Sequence, residues 1–220
     1  MMRAAAGFMQ YRGGEVAADR IIHLMGSFAG VVDSARLVGI AAGVAERPIF
    51  LASLVYSICL LTMLGCSAAY NLAADSSRRG FLRQLDHAAI FLMIAGTYTP
   101  FTACRLDGVW AIWLTAAVWT GAIIGAAMKL ICPRGLKRGS IVAYLALGWM
   151  ILVGLRPMLA SVDVLTAILI GVGGLLYSTG VGFHLWRALP FHNPIWHSFV
   201  LAAASCHYAA ILHGVVLAQP

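Results

Sequence analysis

Apolar residues recur along the chain in runs of roughly twenty, separated by short, arginine-rich polar stretches. Seven such runs stand near Asp19–Ala42, Pro48–Ala73, Asp86–Cys104, Val109–Ile131, Ser140–Leu155, Val164–Trp186 and Pro194–Ala218. A helix of about 20 apolar residues crosses the hydrocarbon core of a bilayer. The pattern therefore predicts an all-α polytopic membrane protein, a seven-transmembrane-helix bundle. The fifth run is short, and Arg156-Pro157 is expected to mark its end. The connections are too brief for a soluble domain, so a short segment, 1–18, precedes one transmembrane domain, 19–220. Met1–Ala18 is broken by Arg12, Gly13, Gly14 and Glu15 and does not read as a cleavable signal, so the first span is expected to direct insertion.

Composition agrees with this reading, and charge orients it. The chain is 61% hydrophobic and 10% charged, against about 25% charged residues in a water-soluble domain. A net charge of +7 would suit nucleic acid only with a basic face outside the membrane. Here Arg3, Arg12, Arg20, Arg78, Arg79, Arg83, Lys129, Arg134, Lys137, Arg138 and Arg187 cluster at one set of run ends. The opposite loops hold Arg47, Arg105 and Arg156, accompanied by Glu46, Asp107 and Asp163. The positive-inside rule then puts the N-terminus in the cytoplasm of a cell membrane and the C-terminus outside. Membrane lipids are the expected partners; no nucleic acid is expected, and no protein partner is legible. Cys59, Cys66, Cys104, Cys132 and Cys206 form no Cys-x-x-Cys pair and read as small buried apolar residues.

The third run opens on its only acid, Asp86, just after Arg78, Arg79 and Arg83. An ionisable group at the entrance of a span is a candidate functional residue. A carboxylate there also satisfies orphan N–H groups and the helix dipole, and both readings stand. On the same side, the second run ends in Ser67-Ala-Ala-Tyr70-Asn71 and the seventh begins Asn193-Pro-Ile-Trp-His197. Three polar clusters far apart in sequence thus lie at one depth, and Asn193 and His197, i and i+4, share a helix face.

These stretches carry a resemblance. Leu85-Asp-His-Ala-Ala-Ile-Phe-Leu-Met-Ile-Ala-Gly-Thr-Tyr-Thr-Pro-Phe101 resembles the signature of the hemolysin III family, the bacterial branch of the progestin and adipoQ receptor superfamily. Ser67-Ala-Ala-Tyr70, Ile195-Trp-His197-Ser-Phe-Val200, Cys206-His-Tyr208 and His23-Leu-Met-Gly26 are similar to its other landmarks, from about residue 19 onward. The resemblance implies a seven-helix bundle with a zinc ion near the inner leaflet. Its ligands would be a histidine ending the second helix and two histidines of a His-x-x-x-His pattern on the seventh, with the aspartate opening the third holding a zinc-bound water. It also implies hydrolysis of a membrane lipid amide. Asp86 and His197 match that pattern. Asn71 and Asn193 stand at the other two ligand positions, and a neutral carboxamide is a poor zinc ligand. A weakened or absent zinc site is therefore expected, leaving enzymatic activity open. His192 could substitute for Asn193 only if the chain before Pro194 is not helical, because i and i+5 point about 140° apart on a helix.

The remaining candidates have plainer readings. Ser67, in Gly65-Cys-Ser-Ala68, lacks the second glycine of a nucleophile motif and reads as a packing or hydrogen-bonding serine. His87 faces about 100° from Asp86. His23 and His207 read as hydrogen-bonded core histidines, with a proton relay as the alternative, and His184 and His213 as snorkelling residues. Asp33 and Arg36, i and i+3, are expected to pair. Trp110, Trp113 and Trp186 suit interfacial belts. Three functions compete: a zinc-dependent lipid-amide hydrolase, a metal-free signalling or interaction protein with Asn71 and Asn193 bridging Asp86, and a cytolytic pore. No polar stripe through several helices supports the pore.

Overall fold

A computed structural model describes residues 13–44, 46–73, 77–132 and 137–218, apart from the side chains of Lys137 and Arg138. Arg3, Arg12, Arg134 and most of the segment expected ahead of the first span lie outside the described residues. The helices are α1 (Gly13–Ala42), α2 (Arg47–Leu72), α3 (Arg79–Cys104), α4 (Gly108–Ile131), α5 (Lys137–Gly148), α6 (Leu155–Ser161), α7 (Val164–Leu185) and α8 (His192–Ile211). No strand occurs among the described residues. α1, α2, α4, α7 and α8 with its C-terminal extension are each long and apolar enough to cross a membrane, and the bent pair Gly139–Leu152 and Leu155–Ser161 adds one more span. α3, with Arg79, Arg83 and Asp86 in its first turns, packs between α2 and α4 and completes seven. The outer surface is apolar, with Phe28, Ile112, Trp113 and Val153 exposed, a face suited to lipid tails. Trp110 and Trp113 lie at one end and Trp186 at the other, all exposed.

Among the described residues α1 runs from Gly13, ahead of the expected Asp19. Glu15 lies in its first turn, where a carboxylate complements the helix dipole. Its Oε1 also accepts a hydrogen bond from the Phe191 backbone N–H at 2.9 Å, tying α1 to the loop before α8. At the far end Asp163 caps α7, accepting from the Thr166 N–H at 3.1 Å and the Thr166 hydroxyl at 2.5 Å. Those two bonds hold its carboxyl below the ordinary value.

The fifth span differs from expectation. The helix does not end at Arg156-Pro157; it breaks earlier. α5 runs on as a 3₁₀ turn, Trp149–Leu152, and α6 restarts at Leu155 with a bend of 59°. Pro157 falls in the first turn of α6, where its missing N–H has no intrahelical partner to lose. The break is held from outside: the Tyr98 hydroxyl of α3 donates to the Gly148 carbonyl at 2.7 Å and accepts from the Ile151 N–H at 2.8 Å. Tyr98→Phe should remove both hydrogen bonds and cost about 1–3 kcal/mol, measurable as a lower midpoint in thermal unfolding of the detergent-solubilised protein.

Two cores order the bundle. One packs Leu37, Tyr56, Met93 and Ile211 from α1, α2, α3 and α8; the other packs Phe91, Val118 and Leu147 from α3, α4 and α5. Between membrane helices close approach replaces the hydrophobic drive, so small residues mark the crossings. The Gly125 position abuts the Phe91 ring, and Gly173 leaves room for His207. The expected Asp33–Arg36 pair does not form: among the described residues no ion pair within 4.0 Å involves either, and the Arg36 side chain is exposed. Arg36 swings outward. All five cysteines are free; Cys59 is buried as expected, whereas Cys132, just past the end of α4, is exposed.

Candidate functional site

The arginine-rich end of the bundle opens into a cavity of about 1070 Å³. The C-terminal end of α2 and the starts of α3 and α8 bring Ser67, Asn71, Asp86, Asn193 and His197 onto its wall, with His192 beside them. Arg83, Lys129 and Arg187 supply positive charge at the same end. Further in, the lining is mostly apolar, with Met93, Ile94, Phe101, Ile151, Met158 and Ile170 outnumbering polar groups such as Thr97, Ser178 and His207. From Asp86 to Phe101 the cavity follows α3 for about 22 Å at 1.5 Å per residue. That is deeper than the roughly 15 Å of one leaflet's hydrocarbon.

Sharing one wall does not join the polar residues into one network. The Asn71 amide turns back on its own helix, donating to the Ser67 carbonyl at 2.9 Å and to its hydroxyl at 3.4 Å. Ser67 is thereby held as a hydrogen-bonding serine. The nearest basic group to Asp86 is its neighbour: His87 Nδ1 lies 3.3 Å from Asp86 Oδ2, without hydrogen-bond alignment. Among the described residues no hydrogen bond joins Asn71 or Asn193 to Asp86. His192 is the first residue of α8 and already helical, so the condition under which it could replace Asn193 is not met. His184 packs against the Trp196 ring at 5.3 Å on the cavity wall instead of snorkelling to water. His207 stacks on Tyr177 at 5.8 Å, and its Nδ1 has no hydrogen-bond partner, unlike the satisfied core histidine expected.

His197 is engaged elsewhere. Its Nδ1 lies 2.6 Å from Oδ1 of Asp19, a residue of α1. One turn on, His23 places Nε2 3.7 Å from the other Asp19 oxygen, and its ring centroid is 4.4 Å from that of His197. The three donor atoms lie within 4.8 Å of one another. The crossing is close because Gly26, one turn below His23, lies against Leu201, one turn below His197; a Cβ on Gly26 would come within 2.6 Å of the Leu201 side chain. Asp19 was not legible as a site residue, although the signal was present: Asp19 and His23 are i and i+4, on one helix face.

Residues 18–208 match the model of the haemolysin-III-related family. The chain belongs to that family. It is 30% identical over 198 residues to the hemolysin-3 homolog of Bacillus subtilis (strain 168), covering 90% of this chain and 93% of that protein. It is 40% identical over 132 residues to hemolysin-3 of Bacillus cereus, 60% of each chain. Similarity extends to the human monocyte to macrophage differentiation factor, 27% over 165 residues, 71% of this chain and 67% of that one. No solved structure matches the chain. As a multi-pass member of the haemolysin III family, the protein is an integral membrane protein.

The zinc site implied by the family resemblance does not fit at its own positions. Two of its three protein ligands are carboxamides here, one of them bonded back to Ser67. The remaining ligand, His197, is turned toward Asp19. One imidazole cannot hold a catalytic zinc, which needs three protein ligands.

Proposed function

We propose that this haemolysin III family member receives a membrane lipid inside the bundle. The lipid's polar linkage would lie against Asp86 and the histidines at the cytoplasmic end, and its acyl chain along the apolar wall. One observation carries the reading: a cavity among the described residues is polar and cationic at one end and mostly apolar deeper in, where Thr97, Ser178 and His207 are isolated polar groups. Its volume lies at the upper limit of the roughly 300–1,000 Å³ of small-molecule sites, as an acyl lipid requires. The mostly apolar inner lining also argues against a cytolytic pore, which needs a continuous run of polar groups along its length. Arg83, Lys129 and Arg187 suit a phosphate or carboxylate on the head group.

The test uses a residue that lines the cavity with space in front of it. Gly171 lies on α7, and a Cβ built there meets nothing within 4 Å. Gly171→Leu should project its side chain into the inner cavity, and replacing a mid-helix glycine gains up to about 1 kcal/mol. Mass spectrometry of lipid retained by the purified protein should show a severalfold loss, with the unfolding midpoint unchanged or raised. Undiminished lipid in a folded Gly171→Leu protein would refute the reading. Hydrolysis of the bound lipid is the second reading, favoured by Asp86 at the polar end, its side chain only 14% exposed. It requires that fatty acid release from a ceramide-like amide vanish in Asp86→Asn while lipid retention persists.

A further inference from the structure

The histidine that the family pattern would assign to zinc faces a different set of donors in this chain. We propose that Asp19, His23 and His197 form a divalent transition-metal site of their own, built between α1 and α8. The donor set is one carboxylate and two imidazoles. Metal–ligand bonds of 2.0–2.1 Å at tetrahedral angles put neighbouring donors about 3.3 Å apart. Asp19 Oδ1 lies 2.6 Å from His197 Nδ1 and Oδ2 3.7 Å from His23 Nε2, and all three donors fall within 4.8 Å of one another, so side-chain adjustments of about an ångström close the set on one ion.

A second observation points to a ligand. His23 is only 7% exposed, and its Nε2 is buried with no hydrogen-bond partner among the described residues while directed at the Asp19 carboxylate. A buried imidazole nitrogen left unpaired is costly, and a cation between it and Asp19 satisfies both groups. The Asp19 side chain is itself 13% exposed, and a buried carboxylate needs a positive partner or a metal. His23 and His197 both line the lipid cavity, so the fourth position of such a site opens toward it, as in catalytic sites and unlike closed structural ones. By ligand type the set suits zinc, and also ferrous iron. The site stands or falls independently of what fills the cavity.

The experiment measures metal directly. Full-length protein in detergent is stripped with chelator, reloaded with Zn²⁺ or, anaerobically, Fe²⁺ alone, desalted and analysed for elemental content. About one ion per chain is expected, with X-ray absorption showing two imidazoles among N/O donors and no sulfur. Asp19→Asn and His23→Gln should each weaken binding by more than about 100-fold, exceeding the 10–100-fold typical of outer-shell changes, while Asn71→Ala and Asn193→Ala leave it within a factor of a few. Failure of the parent to retain either ion overturns the proposal. So does retention that survives both α1 substitutions, or a spectrum without two histidines. The spectrum is read on the parent, so a misfolded variant does not decide the outcome.

Discussion

Replacing Gly96 by alanine is expected to destabilise the bundle by about 1–3 kcal/mol, and replacing it by leucine to prevent its assembly. Gly96 lies at the crossing of α3 and α2. A Cβ there would stand 2.5 Å from the Cys59 Cβ and 2.8 Å from its Sγ, with the Tyr56 Cα at 3.8 Å. The obstacle is the root of a side chain next to backbone, so no rotamer change relieves it and the two helices must separate. Separation would loosen the core around Tyr56 and Met93. Gly65 supplies the control, because a Cβ at that position in α2 meets nothing within 4 Å. Gly65→Ala should raise stability by up to about 1 kcal/mol through helix propensity alone. Thermal unfolding followed by labelling of the buried Cys59 thiol reads both signs. Equal effects at the two positions would mean that the α2–α3 crossing is not close-packed.

Arg105→Met should cost at least about 2–4 kcal/mol, as charge-assisted hydrogen bonds contribute about 1.5–3 kcal/mol each and act here as a group. Arg105 follows α3, and its guanidinium donates to the end of the chain. Nε reaches the Gly214 carbonyl at 2.6 Å, and Nη2 the Val215 carbonyl at 3.2 Å and that of Ala218. These carbonyls belong to the π-helical turn Leu212–Leu217 and the residue after it, where a helix end leaves acceptors without partners. Lysine should restore little, since one ammonium lacks the planar fork that spans several carbonyls. Hydrogen exchange of residues 208–218, faster in Arg105→Met and Arg105→Lys alike, checks the prediction. Protection unchanged in both would show that the turn holds without the guanidinium.

The spans were legible because each is a local property: some twenty apolar residues in a row have one good solution in lipid. The break in the fifth span was not. Arg156-Pro157 suggested a stop, but the chain bends at Val153 and Gly154 because Tyr98, more than fifty positions upstream, supplies the hydrogen bonds that the 3₁₀ turn needs. The candidate site was half legible in the same way. Run ends and charge asymmetry put Asn71, Asp86, Asn193 and His197 at one depth, and all four line one cavity. Depth says nothing of azimuth, however, and the rotation of each helix decides which groups touch. Asn71 turned to Ser67, and His197 turned to α1.

From its own pattern the chain determined seven apolar spans, a basic end and a family resemblance, with asparagine at two of the three positions where that resemblance implies a zinc-binding histidine. These follow from composition over short stretches, where hydrophobicity and charge act residue by residue. Only the tertiary structure decided that His197 meets Asp19 and His23, nearly the whole chain apart, across a crossing narrowed by Gly26. The reason is that helix rotation and approach are set by packing against neighbours, a sum over many contacts that no single stretch of sequence contains.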